Sequence, residues 1–187
     1  FGDDSFRDGL DRLTRGLADE ANLSQVGRIV AHYNLVDHLC VRLRLIRYRS
    51  QRPEVARQAI RRPVFILGLP RTGTTILFEL LARDPAMRSP ASWEVSRPLP
   101  PPAACTYDSD KRRARVARLL PVMEKLAPGF RRIHAIDAHL PQECVYMLAS
   151  HFMSEQFAYM YNRPEYRAWL LEADMGPAYA WHHDFLQ

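Results

Sequence analysis

The chain has 187 residues, a net charge of +5 and 47% apolar residues, which is the composition of a globular protein with a core of its own. No apolar run is long enough to cross a membrane, and the first residues lack the basic leader and apolar stretch of a secretory signal. Three widely separated cysteines without a CxxC pair argue against a disulfide framework and against a zinc site. A reducing compartment, and therefore a cytoplasmic location, is expected.

The basic residues are unevenly distributed, because eight arginines and the single acid Glu54 lie between Val41 and Arg62. Such a surface could attract nucleic acid, anionic lipid or a phosphorylated small molecule. The cluster lacks the interleaved aromatic residues that stack bases, so no nucleic-acid partner is expected. The alternative is that these arginines simply form solvated helix faces.

Apolar residues recur every three or four positions from Ser5 to about Arg49, which predicts two amphipathic helices interrupted near residues 21–24. A short helical turn is predicted from Pro53 to Ile60. Pro63 then begins the apolar run Val64 to Leu67, which is typical of a parallel strand buried on both faces. A Gly-rich turn and a helix from about Gly73 to Arg83 follow this strand.

Beyond this unit the pattern predicts mainly helices. Residues 87–102 are proline-rich and irregular, residues 107–126 are helical with a break or kink at Pro121, and residues 134–140 are either a loop or a short strand. Helices are predicted from Pro141 to about Tyr161, from Pro164 to residue 174, and from the Gly176 and Pro177 pair onward. One strand is too few for a sheet, so we expect further strands in sequence beyond Gln187.

The turn after the strand has the spacing of a phosphate-binding loop, GxxxxGK[ST], with its glycines at Gly68 and Gly73. In nucleotide-hydrolysing loops the lysine reaches the outer phosphates and the next hydroxyl holds magnesium. Here Thr74 replaces the lysine, Thr75 keeps the hydroxyl, and the cation is found at Arg71. A guanidinium can grip a tetrahedral oxyanion through two donors, so the loop suits one terminal anion without a metal. The alternative is that the glycines serve only tight packing.

The segment PRTGTT, preceded by VFILGL, resembles the 5′-phosphosulfate-binding loop of sulfotransferases that use 3′-phosphoadenosine 5′-phosphosulfate (PAPS). Other short motifs occur in the order found in a large, mostly bacterial branch of that superfamily, namely the leading GDDSFRDGL, then LLARDP, SWEV and PQEC. The resemblance therefore covers essentially the whole chain. It implies an α/β, P-loop-containing nucleoside triphosphate hydrolase-like fold with a parallel sheet, here helix-rich and truncated at the C-terminus. Residues 1–62 would form an N-terminal helical segment, and residues 63–187 the first part of the sulfotransferase domain.

The resemblance further implies an enzyme that moves a sulfuryl group from PAPS to an acceptor hydroxyl or amine by in-line displacement, with PAPS as co-substrate and no metal. The acceptor is left open between a small molecule, a lipid and a carbohydrate. By position in the motif, Pro70, Arg71, Thr72, Gly73, Thr74 and Thr75 would bind the phosphosulfate, and Arg71 would also offset charge on the bridging oxygen. The part of relatives that binds the 3′-phosphate lies beyond Gln187, so this fragment could be inactive alone, and a homo-oligomer is one way to complete its sheet.

The resemblance places the catalytic base at Glu94 in SWEV, with Arg97 as a helper and Trp93 as an apolar wall. Burial beside such a wall strengthens a carboxylate as a base. His134 competes for this role because histidine serves as the base in another branch of the superfamily, and Glu94 could instead be a surface carboxylate or a charge at a helix N-terminus. The rival functions are a P-loop nucleotide kinase, which the missing lysine disfavours, and a non-catalytic anion-binding module.

Overall fold

The computed structural model describes residues 1–19, 23–69, 72–126, 128–129, 135 and 137–187. These residues form two compact units. One, which we call the helical unit, combines Phe1–Arg61 with Glu143–Gln187. The other, which we call the loop unit, spans Arg62–Gln142. In this division residues 143–187 group with the N-terminal helices, and the predicted domain of residues 63–187 stays a prediction.

The described elements are short helices apart from one of 27 residues. In chain order they are α1 (Arg7–Asp19), α2 (Gln25–Gln51), α3 (Thr74–Leu81), α4 (Ser92–Ser96), α5 (Lys111–Ala117), α6 (Leu120–Leu126), α7 (Cys144–Leu148), α8 (Glu155–Tyr161), α9 (Pro164–Glu172) and α10 (Gly176–Leu186), with 3₁₀ turns at Val55–Arg57, Ala104–Thr106 and Ala149–His151. None of these helices is long and apolar enough to cross a membrane.

The helical unit has an aromatic core built mainly from α1, α2, α8 and α9. Phe157 lies at its centre, stacked on Phe152 with a ring-centroid distance of 6.0 Å and on Tyr161 at 6.3 Å, while Tyr166 meets it edge-on. Leu13 of α1 is fully buried in the same cluster. These contacts explain why the first 60 residues and the last 45 fold together, because each part supplies one side of the core.

A buried arginine fastens the N-terminal segment to this unit. The guanidinium of Arg42 lies between two aromatic rings, 4.4 Å from the centroid of Phe6 and 4.5 Å from that of Trp181. It donates to the carbonyl of Phe1 at 2.8 Å and to Nδ1 of His151 at 3.0 Å. Because a guanidinium can only donate, Nδ1 of His151 is the acceptor and this ring is neutral. Burial first, and the Arg42 charge second, lower the pKa of His151 to about 4.

The predicted helix from Pro141 to Tyr161 is interrupted in the structure. Phe152 adopts a left-handed backbone conformation with φ 59°, and α8 starts afresh after Ser154, whose hydroxyl accepts from the amide of Gln156 at 3.2 Å. Tyr166 reinforces the break by donating to the carbonyl of Phe152 at 2.7 Å. The interruption therefore depends on a tertiary contact and on a local cap.

The predicted strand at Val64 to Leu67 is not formed. Within the described ranges no segment pairs with it, and the only β-pairing is an isolated antiparallel bridge between Ala91 and Pro141. Val64, Phe65 and Leu67 expose 60, 73 and 89% of their surface, so the apolar run lacks the cover that a buried strand requires. A strand needs a neighbour to satisfy its amides and carbonyls, and none is present here. The predicted parallel sheet is accordingly absent from the residues that the structure describes.

Candidate active site

The glycine-bounded turn of the loop unit has the tight geometry that its sequence predicts. Gly73 has φ 91°, a left-handed conformation that favours glycine, and it occupies the N-cap position of α3, which begins at Thr74. Gly68 approaches the far side of the turn so closely that a Cβ there would lie 2.7 Å from Cγ2 of Thr74 and 2.9 Å from Oγ1 of Thr72. Each glycine is therefore required for a distinct physical reason, backbone conformation at Gly73 and close approach at Gly68.

The start of α3 offers donors to an anion. No side chain caps its first turn, and Thr72, Gly73 and Thr75 are exposed, so the free amides at this helix N-terminus face solvent. The helix dipole adds partial positive charge at the same place. Thr72 stabilises the turn by donating from its hydroxyl to the carbonyl of Leu69 at 2.6 Å. Two of the predicted binding residues, Pro70 and Arg71, lie outside the described residues.

Glu94 is buried in the loop unit, with 4% of its side chain exposed. It is the third residue of α4, and its Oε1 accepts from the amide of Ala91 at 3.2 Å, which caps that helix. The hydroxyl of Tyr107 donates to the same oxygen at 2.6 Å. The guanidinium of Arg88 donates to Oε1 at 3.4 Å and also contacts Oε2. The helix N-terminal role that the sequence left as an alternative is thus real.

Backbone pairing and ring contacts hold this carboxylate in place. The amides of Ser92 and Trp93 donate to the carbonyls of Leu140 and Ala138 at 2.9 and 3.1 Å, which fixes the start of α4. Trp93 is fully buried, as expected of an apolar wall, and its ring lies 5.3 Å from that of Tyr107. Burial first, and the hydrogen bond to Glu94 second, raise the pKa of Tyr107 to about 12. Tyr107 is therefore a permanent donor to Glu94 at physiological pH.

Arg112 also packs on Trp93, and its guanidinium lies 4.8 Å from the ring centroid. Arg112 also donates to the carbonyls of Arg97 and Pro100 at 2.7 and 2.6 Å and pairs with Asp110. One basic residue of α5 thus organises the proline-rich segment around the site.

Among the predicted site residues, the structure describes Glu94 and the loop residues from Thr72 to Thr75, all of them in the loop unit. No hydrogen bond or ion pair between described residues joins Glu94 to the loop. His134 lies outside the described residues, so its competing role as the base is unchanged. The contacts from Arg88 and Tyr107 to Glu94 were not predicted. Arg88 carried one weak signal, an opposite charge six positions from Glu94, and Tyr107 carried none.

A glycine-bounded turn that opens onto a helix N-terminus, followed by a buried carboxylate, is the arrangement expected of an anion-binding site with a general-base candidate. The model of the sulfotransferase family matches residues 63–187, and the chain belongs to this family. No group of three or more His, Cys, Asp or Glu side chains that could hold a metal ion occurs within the described part of the chain.

Two solved structures are similar to the chain over its full length. Sulfotransferase STF1 from Mycobacterium tuberculosis H37Rv is 30% identical, with a TM-score of 0.85, over 99% of this chain and 51% of its own. Sulfotransferase STF9 from Mycobacterium avium is also 30% identical, with a TM-score of 0.85, over 100% of this chain and 48% of its own. The chain thus spans about half the length of these proteins. A comparison with curated proteins finds no match.

Proposed function

We propose that the protein carrying this chain is a PAPS-dependent sulfotransferase that acts on an acceptor hydroxyl or amine without a metal. The observation that carries the proposal is the turn at Gly68 to Thr75, which combines left-handed Gly73, the close approach at Gly68 and the uncapped, exposed start of α3. Backbone amides at a helix N-terminus suit the terminal oxyanion of a phosphosulfate. Membership of the sulfotransferase family supports the same reaction class.

The residues of the loop would bind the 5′-phosphosulfate. The amides of Thr72, Gly73 and Thr74 and the hydroxyls of Thr74 and Thr75 would donate to its oxygens, and Arg71 would supply the positive charge that the absent lysine does not. PAPS, when bound, supplies the sulfuryl group. The chain's own contribution is to hold the anion by fixed donors, which require no reorganisation as charge shifts during transfer.

Glu94 would take the proton from the acceptor. Its carboxylate is buried beside Trp93 and is held in one orientation by Ala91 and Tyr107, which meets the positional requirement for a general base. An acceptor small molecule, lipid or carbohydrate is compatible with this role, since only its hydroxyl or amine proton is involved. The cytoplasmic location stays a prediction, and the three cysteines are free thiols in the structure.

Calorimetry with three ligands separates the proposal from its rivals. Binding of adenosine 3′,5′-bisphosphate without magnesium supports the sulfotransferase, whereas ATP binding that requires magnesium indicates a nucleotide kinase. Binding of inorganic sulfate with neither nucleotide indicates a simple anion-binding module. Arg71→Ala serves as the loop variant, and undiminished affinity for the bisphosphate in this variant would remove Arg71 from the site. These measurements use the complete protein.

The identity of the base is tested by turnover. Glu94→Gln should abolish PAPS-dependent sulfation of the best acceptor found in a panel of alcohols and amines, while His134→Ala should retain it. The opposite pattern would transfer the role to His134.

A further inference from the structure

The two oxygens of the Glu94 carboxylate have different surroundings. Oε1 accepts from two groups that the fold fixes in place, the buried amide of Ala91 at 3.2 Å and the hydroxyl of Tyr107 at 2.6 Å, and also from the guanidinium of Arg88 at 3.4 Å. Within the described ranges, the only hydrogen bond to Oε2 comes from the guanidinium of Arg88. A carboxylate oxygen has two acceptor positions, so Oε2 retains room for one further hydrogen bond. One oxygen is therefore anchored, and the other is engaged by a single side chain.

Arg88 is also the most exposed member of this group. Its side chain is 61% exposed, against 4% for that of Glu94. Ala91 is buried, and the Tyr107 ring packs against buried Trp93. A long exposed arginine can rotate into solvent, where its guanidinium is well hydrated, and an entering acceptor that donates to Oε2 compensates the carboxylate for the lost charge-assisted hydrogen bond. Neither Ala91 nor Tyr107 can leave without unfolding the start of α4 or opening the ring packing.

We infer that Arg88 masks Oε2 of Glu94 in the resting enzyme and swings away to admit the acceptor, while Tyr107 acts as a positioning residue that keeps Oε1 anchored. This inference deepens the proposed function and rests on Glu94 being the base. When the acceptor enters, its oxygen or nitrogen would form a bond to sulfur as the bond from sulfur to the bridging oxygen of PAPS breaks, with adenosine 3′,5′-bisphosphate as the leaving group. The acceptor's O–H or N–H bond would break in the same step, and its proton would pass to Oε2. Glu94 then becomes a neutral carboxylic acid whose Oε1 still accepts from Tyr107 and Ala91.

Three arginines of the described residues flank this site. Arg88 faces Glu94 directly, Arg113 and Arg88 both lie near the hydroxyl of Tyr107, and Arg112 lies over the Trp93 ring. Arg112 and Arg113 are themselves paired with Asp110 and Asp108. Among the described groups Arg88 is consequently the cation that competes with an entering acceptor for Oε2.

Masking can be measured without an acceptor by carbodiimide labelling of carboxylates, read by peptide mass spectrometry on the complete protein. In Arg88→Ala, labelling of Glu94 should rise about tenfold, the order expected from losing a charge-assisted hydrogen bond. Exposed Glu54 is the internal standard, and Arg118→Ala is the matched control variant. Asp110, whose side chain is 16% exposed and paired with Arg112, reports local unfolding. Unchanged labelling of Glu94, or an equal rise at Asp110, overturns the mask.

Steady-state kinetics test the division between the two oxygens. Arg88→Ala should lower the acceptor KM by several-fold, since the acceptor no longer displaces the guanidinium. Tyr107→Phe should lower kcat about tenfold with KM unchanged, because the ring packing stays and only the Oε1 anchor is lost. If each variant instead lowered kcat and raised KM to the same extent, Arg88 and Tyr107 would have a merely structural role, and the inference would be refuted.

The two proposals fail in different ways. Full turnover in Glu94→Gln defeats Glu94 as the base, whatever the labelling shows. Loss of turnover in Glu94→Gln, together with unaltered labelling in Arg88→Ala, leaves the base in place and defeats the mask alone.

Discussion

Lowering the pH should unfold the helical unit through His151. This imidazole is buried and neutral, and it accepts a hydrogen bond from Arg42, a group that never gives up its charge. Protonation would place two cations 3.0 Å apart and remove the acceptor that Arg42 uses. The pKa of His151 in the folded chain is therefore lowered to about 4, against about 6.5 for an unfolded histidine.

The direction and size of the change in unfolding free energy follow from the difference between these two pKa values of His151. Above pH 6.5 the ring is neutral in both states, and the stabilisation is fully present. Between pH 6.5 and about 4 the unfolded chain binds a proton that the folded chain does not, so the free energy of unfolding falls as the pH falls. Each pKa unit corresponds to about 1.36 kcal/mol, so the free energy of unfolding should be lower by about 3 kcal/mol at pH 4. That is a large share of the total stability of a small protein.

The assay is guanidinium unfolding followed by tryptophan fluorescence at pH 7.5 and pH 4, for the wild-type chain and for His151→Gln. Glutamine cannot titrate, yet its side-chain oxygen can still accept from Arg42. The pKa of Asp3 is lowered, chiefly by a hydrogen bond from Ser5 and least by the charge of His151, and burial lowers that of His182, so both groups add acid sensitivity to both proteins. The wild type should lose about 3 kcal/mol more than the variant. Parallel losses in the two proteins would refute the assignment to His151.

Three further substitutions have clear expected outcomes. Gly73→Ala places a Cβ in open space, but the residue must adopt a left-handed conformation that costs about 1–2 kcal/mol. This strain should weaken the binding of adenosine 3′,5′-bisphosphate about tenfold in calorimetry. Unchanged affinity would contradict the loop geometry. Phe157→Ala should lower the free energy of unfolding by about 3–5 kcal/mol in guanidinium, and a loss below about 1 kcal/mol would place it outside the core. Arg49→Ala removes a partly exposed pair with Asp184 at 2.8 Å and should cost no more than about 1 kcal/mol in the same assay, so a larger loss would show a role beyond that pair.

Features that depend on local sequence were predictable. The two N-terminal helices follow from apolar residues at steps of three and four, and the structure places α1 and α2 on either side of the expected interruption. The turn was equally predictable, because a left-handed conformation and a close backbone approach both favour glycine, and these features occur at Gly73 and Gly68 respectively. In these cases the residue and its nearest neighbours along the chain determine the structure.

Features that depend on distant partners were not predictable. The apolar run from Val64 to Leu67 reads as a strand, but strand formation requires a neighbour that no described segment supplies. The break at Phe152 relies on a hydrogen bond from Tyr166, fourteen residues away. Likewise, the contact between Tyr107 and Glu94 exists only because the chain folds back over α4. The family resemblance identifies the candidate base, whereas the groups that orient it are known only from the fold.

The two roles of Glu94, helix cap and proposed base, can be separated by a pair of substitutions. Glu94→Ala leaves the buried amide of Ala91 and the hydroxyl of Tyr107 without their acceptor, and each such loss costs about 1–3 kcal/mol. Glu94→Gln keeps an oxygen that can accept from both groups but cannot take a proton. We therefore expect the alanine variant to lose about 2–4 kcal/mol of unfolding free energy and its turnover, and the glutamine variant to lose turnover with less than half of that destabilisation.

Guanidinium unfolding and PAPS-dependent sulfation, measured on the same preparations, provide the comparison. Equal destabilisation by the two substitutions would show that Oε1 does not anchor the start of α4. A stable glutamine variant that still turns over would show that the carboxylate is a cap and that the proton goes elsewhere. Only the combination of retained stability and lost turnover assigns the cap to Oε1 and the chemistry to the carboxylate's charge.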